Sequence, residues 1–205
     1  MFFIHYRKAV FKPYVREFAS QFQIYLRRNY PLCLLMTGLY ENIHELQNEK
    51  TLTFLYRAPK IELQPLNIGL IAESYKTIFR LNSEDALRMA KATKGYSFAY
   101  QALGYIFFRN QCTLVQALPE YDAVLEEYVY EKIWSKLSAK DKEAVFALAA
   151  SDNGKVSSVR EVMNVPSNVF TVYRTRLIKK GIVSSPTYGY LEFTLPRFRE
   201  FVQRQ

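Results

Sequence analysis

Apolar positions recur at helical spacing along most of this chain, with two short exceptions. Residues 14–29, YVREFASQFQIYLRRN, place Val15, Phe18, Phe22, Tyr25 and Leu26 along one side of a helix. Residues 67–80 repeat the pattern with Ile68, Ile71, Tyr75, Ile78 and Phe79. In NSEDALRMAKATKGY, Ser83 is placed as an N-cap and Glu84 and Asp85 fall at the helix's positive end. Gly95 fits the left-handed residue that follows such a helix. YSFAYQALGYIFFRN continues as a further helix, and Pro119 is expected to open a longer one reaching about Leu137. Its apolar side is Val124, Leu125, Tyr128, Ile133 and Trp134. ENIHELQNEK reads as a short polar helix, and TLTFLYRAPKIELQPL as a connector around Pro59.

The first exception is PLCLLMTGLY. Its continuous apolar run, 32–36, stops at Thr37-Gly38 and reads as a strand buried on both faces of a parallel sheet. With the helix over 14–29 it forms the second half of a βαβ crossover whose first strand is expected to be missing or degraded. The second exception is IVSSPTYGYLEFTLP, which alternates and turns at 186–189 as a hairpin does. Ahead of it, Ser138-x-x-Asp141 resembles a capping box and starts the helix AKDKEAVFALAAS. Ser158-x-x-Glu161 starts a second helix, and NVFTVYRTRLIKK is a third, closed by Gly181. Three helices and then a hairpin is the order of a winged helix-turn-helix.

Composition adds a partner class. The formal net charge is +9 and the sequence pI about 9.4, which favours an acidic partner such as nucleic acid. Cys33 and Cys112 both lie among apolar residues and read as small buried hydrophobes rather than as a disulfide. No apolar segment approaches the length that spans a bilayer, and MFFIHYRKAVF does not read as a signal peptide, so the expected location is cytoplasmic, away from any membrane.

Catalytic chemistry is sparse. Two His and two Cys are too few for a zinc cluster, and His44 reads as part of a solvated helix face. Gly154-Lys155 is followed by Val156 and lacks the upstream glycine of a P-loop. The third helix of the hairpin module is the better functional element. With Val169, Tyr173 and Leu177 inward, Ser167, Asn168, Thr171, Arg174, Thr175 and Lys179 are left for phosphates or base edges. Residues 138–205 carry eleven Lys and Arg against six Asp and Glu, a surplus of five positive charges. The turn SSPTYG, however, has neither Lys nor Arg.

From about Tyr14 onward, in LLMTGLYENI, LTFLYRAPKI, TKGYSFAYQALGY and VYRTRLIKKGIV, the sequence resembles bacterial ATP-binding proteins of the AAA+ class. The group in question is related to archaeal ATPases and to STAND regulators. The resemblance implies a fold that is mainly α with small β. It would comprise a remnant of an α/β nucleotide-binding sheet at 1–63, a helical lid and linker helix at 64–137, and a winged-helix domain at 138–205. It implies that Thr37 ends a sensor strand beside the γ-phosphate, and that Arg57 could approach a neighbour's nucleotide. Gly95 and Tyr96 would mark the lid turn. The intact family uses ATP and Mg²⁺, with a P-loop and an apolar strand ending in Asp-Glu; here that place holds MFFIHYRKAVFK, without either acid. The chain alone is therefore expected to need no cofactor and to be catalytically inactive, a C-terminal fragment of an ATPase. Stand-alone regulation through double-stranded DNA, or a pure protein-interaction module, stay open beside it. An incomplete sheet would further imply self-association or a covering protein partner.

Overall fold

The computed structural model describes residues 2–6, 12–38, 43, 46–48, 50, 52–61 and 63–205. The chain divides into two compact units, Met1–Leu63 and Gln64–Gln205.

In the first unit, strand β1 (Phe2–Tyr6) pairs in parallel with β2 (Leu34–Gly38), and helix α1 (Lys12–Arg27) joins them. The crossover is thus complete, against the expectation that its first strand is missing. That expectation looks for a strand ending in acids, and FFIHY is an apolar strand without them. The register sets His5 opposite Thr37. The second strand lies at Leu34–Gly38, two residues later than the apolar run implies, and it is not buried on both faces. Leu35 is exposed, the rest of the strand is half-buried, and Cys33 just ahead of it is exposed rather than buried. With β1 as its single neighbour among the described residues, the strand has an unpaired edge, and Leu35 faces solvent. On α1, Val15, Ala19 and Phe22 turn inward, whereas Tyr25 and Leu26 near its end are exposed. A small core joins Val15 and Ala19 to Leu46, Leu52 and Leu55, the last on the one-turn helix α2 (Thr53–Tyr56). Half of the expected helix over 41–50, including His44, falls outside the described residues.

The second unit begins with α3 (Ile68–Phe79), α4 (Ser83–Lys91) and α5 (Ser97–Asn110). Asn67 caps α3, and Asn82 rather than Ser83 caps α4: its Oδ1 accepts the Asp85 N–H at 2.8 Å. The next helix, α6 (Leu114–Leu125), starts at a Thr113–Gln116 capping box, so Pro119 lies inside it and does not open it. The chain then passes through a π-helical stretch at Glu126–Tyr130 into α7 (Glu131–Trp134). That stretch turns Tyr130 into the core, where its hydroxyl donates to the Pro196 carbonyl and its ring meets Phe198 at 5.0 Å and Phe201 at 5.4 Å.

The remainder is α8 (Ala139–Ala150), α9 (Val156–Met163), α10 (Ser167–Lys179), the antiparallel strands β3 (Val183–Ser184) and β4 (Glu192–Phe193), and α11 (Phe198–Gln203). Helix α9 starts at Val156, two residues before Ser158, and α11 is an element the apolar pattern does not indicate. One continuous core runs from Ile71 to Val202, so the helices before and after residue 137 share an interior. Arg197 reinforces it by pairing with Asp122 through Nη2 at 2.6 Å, and Lys94 donates to the Phe193 carbonyl at 2.7 Å.

Two glycines give this packing its sharpest test. At Gly154, φ is +69° and an added Cβ would collide with the Leu191 carbonyl; at Gly189, φ is +80° but the space is open. Gly154→Ala should therefore cost at least about 3 kcal/mol in urea unfolding, and Gly189→Ala only about 1 kcal/mol.

Candidate nucleic-acid interface

Ser138 caps α8 by accepting the Asp141 N–H at 3.1 Å, which fixes Asp141 in the first turn. Asp141 is 1% exposed, and it is a charge that burial alone would penalise. It is held by two cations from the end of α10 and the residue after it. Arg176 donates through Nε to Oδ1 at 2.6 Å, and Lys180 through Nζ to Oδ2 at 3.1 Å. Burial pushes the carboxyl pKa up, but these two hydrogen bonds and the Lys180 charge outweigh it and hold the carboxyl below its ordinary value. The Arg176 guanidinium also lies over the Tyr173 ring at 5.3 Å.

This clamp fixes which side of α10 is inward. Phe170 and Leu177 are buried, and Val169 and Tyr173, expected inward with Leu177, are half-buried. On the opposite side Asn168, Thr171, Val172, Thr175 and Lys179 are exposed. These positions recur at spacings of three and four and make one stripe. Ser167, the first residue of the helix, is exposed as well, and its carbonyl accepts the Thr171 hydroxyl at 2.8 Å. Arg174 leaves the stripe: it is half-buried and donates through Nη2 to Ser185 Oγ at 2.9 Å. Ser185 Oγ in turn donates to the Tyr190 carbonyl at 2.8 Å, which ties α10 to the β3–β4 connection. The Nε atoms of Arg160 and Arg174 are buried with no hydrogen-bond partner. At the tip of the connection Tyr188 is 95% exposed.

Most other cations of this region are committed. Arg199 donates to the Ala149 and Ser151 carbonyls, Arg204 pairs with Glu126, Lys140 with Glu143, and Lys142 lies over the Trp134 ring. Lys155, Arg160, Arg174 and Lys179 have no acidic partner within salt-bridge distance among the described residues.

The other sequence-derived residues lie elsewhere. Thr37 is half-buried in β2, and Arg57 is exposed at the end of α2; both belong to the first unit. Gly95 and Tyr96 belong to the second. Gly95 adopts φ +74°, three residues beyond the α4 cap at Ala92, and its carbonyl accepts the Leu66 N–H at 2.8 Å. A Cβ there would stand 2.5 Å from the Leu66 carbonyl oxygen, so chain packing by itself demands glycine. Tyr96 precedes α5 half-buried, and burial raises its phenol pKa. Asp141 as a clamp, Ser185, Val172 and Tyr188 are residues of this region that the sequence pattern does not single out.

Residues 127–202 match a family model described as "Domain of unknown function (DUF8462)", less than half of the chain but all of the interface. No curated protein matches the sequence. Among solved structures, the Walker-type ATPase PABY2304 of Pyrococcus abyssi superposes with a TM-score of 0.66 at 15% identity. The alignment covers 92% of this chain and 57% of that one. The chain thus shares its fold with that structure and spans a little over half of its length. A point variant of RuvB from Thermotoga maritima overlaps more loosely, with a TM-score of 0.38 at 14% identity over 97% of this chain and 68% of that one. Among the described residues no helix is long and apolar enough to cross a membrane, and no group of three His, Cys, Asp or Glu is placed to hold a metal ion.

Because the Asp141 pKa is depressed in the folded state, its contribution to stability is present above the ordinary aspartate value and is lost as pH falls through the native value. Asp141→Asn should cost about 3 kcal/mol at pH 7, the low end for breaking a buried pair, since Arg176 and Lys180 stay partly in water. Urea titrations should show that gap constant above about pH 5 and narrowing below about pH 4.

Proposed function

We propose that this chain is an ATPase-related polypeptide of AAA+ type that binds double-stranded DNA through a winged helix-turn-helix at 138–205, with α10 as its recognition helix. The exposed stripe of α10 carries the reading. It is a mostly polar helix face held outward by the Asp141 clamp, with cations around it that have no acidic partner among the described residues. Helices α8, α9 and α10 followed by β3 and β4, with Lys155 bridging to Tyr190, support the winged-helix description. Ser167, Asn168, Thr171, Thr175 and Lys179 are the contact residues; Arg174, expected among them, is turned to Ser185 instead.

Mg²⁺-ATP does not fit this chain's residues. Strand β1 lies beside β2, where the resemblance implies an acid pair, yet it ends in His5 and Tyr6, and the sequence has no P-loop segment. Without those groups phosphoryl transfer lacks its electrostatic clamps. Thr37, Arg57, Gly95 and Tyr96 remain as sensor-like positions of the ATPase-type fold, and no hydrolytic step is assigned to them. A second reading, a protein-interaction module, draws on the uncharged turn at Tyr188 and on an apolar groove lined by Phe146, Ala147, Val162 and Met163.

Anisotropy titration of a labelled duplex discriminates between the two. With about four phosphate contacts, affinity should fall about 100-fold between 50 and 200 mM salt. Lys179→Ala should weaken all duplexes alike, and phosphate release from ATP should stay at background with or without DNA. No binding at 50 mM salt would sink the DNA reading and leave the interaction module.

A further inference from the structure

The stripe on α10 also has a chemical preference, which rests on the DNA reading. We infer that α10 reads adenine·thymine pairs, with the Asn168 amide on an adenine edge and the methyl groups of Thr171, Val172 and Thr175 against thymine methyls.

Guanine is recognised in the major groove by Arg or Lys reaching its O6 and N7. Of the four cations in and just after α10, Arg176 and Lys180 are held by Asp141, and Arg174 is turned to Ser185. Lys179 alone remains on the exposed side, at the C-terminal end of the helix. The centre of the stripe therefore has no guanine reader.

What it does present fits the other pair. An asparagine amide donates to adenine N7 and accepts from its N6 amino group, a bidentate match. Thymine alone carries a C5 methyl in the major groove, and small apolar groups contact it. Val172 is 57% exposed in the middle of the stripe, and Ile178 is 38% exposed near its end, so the face carries apolar groups among its polar ones. The Thr171 hydroxyl donates its one hydrogen to the Ser167 carbonyl of its own helix, so only its methyl group and its acceptor lone pairs are left to a partner. Asn168, Val172 and Thr175 follow one another at spacings of four and three, which sets them along one line of the helix.

Thymine and uracil differ at that methyl group alone, so exchanging them isolates the contact. The full chain would be titrated at 50 mM salt against an A·T-rich duplex, a G·C-rich duplex of equal length, and the A·T-rich duplex with deoxyuridine replacing thymidine. The A·T-rich duplex should bind about 10-fold tighter than the G·C-rich one, and deoxyuridine should remove several-fold of that. Val172→Ala should shrink the thymine–uracil difference, and Asn168→Ala the A·T over G·C preference; both positions are exposed, so the core is untouched. Equal affinity for all three duplexes would overturn this inference while leaving the DNA reading intact. Absence of binding to every duplex would overturn both.

Discussion

A carboxylate withdrawn from water in the first turn of one helix holds two cations from the end of another, and the C-terminal half of the molecule is oriented by that arrangement. Asp141 could not stay charged at 1% exposure without partners, and Arg176 and Lys180, both partly in water, supply them. The carboxylate's need for both cations favours one rotation of α10 about its own axis. Phe170 and Leu177 then fall into the core, and Asn168, Thr171, Val172 and Thr175 fall outside it. The same pairing decides which positive charges are free, since it uses up two of the four that α10 and the residue after it carry.

Around this clamp the second unit is stiffened by aromatic packing and by close backbone approach. Tyr130 enters the interior through a π-helical turn and joins Phe198, Phe201 and the Pro196 carbonyl. Gly154 lets the chain before α9 pass against Leu191, whose N–H donates to the Gly154 carbonyl at 2.8 Å. The helices that the ATPase resemblance would call a lid thus share one core with the helices and hairpin that follow. An exposed face presented by such a body needs little ordering to meet a rigid partner, which lowers the entropic cost of binding.

Much of the fold is legible in the sequence because helical periodicity survives in α1, α3 and α10. Capping is the weaker guide. Asn82 outcompetes Ser83 for the start of α4, and the Thr113–Gln116 box, which begins six residues upstream of the more conspicuous Pro119, sets the start of α6. Strand β1 escapes a sequence reading because a five-residue apolar segment without its expected acids carries little signal alone. Helix α11 escapes it because six residues hold less than two turns of pattern. The exposed residues of α10 can be read from periodicity. The Asp141 clamp cannot, because its partners lie 35 and 39 residues away along the chain. The opposite environments of Val172 and Arg174, two residues apart, likewise follow from tertiary contacts.

Hydrogen–deuterium exchange of the full chain, with and without a saturating duplex at low salt, tests the central claim that the outward face of α10 meets DNA. Exchange should slow across 167–179 and the connection between β3 and β4, while α3 and α5 remain unchanged. Protection confined to 68–110, with none across 167–179, would contradict it.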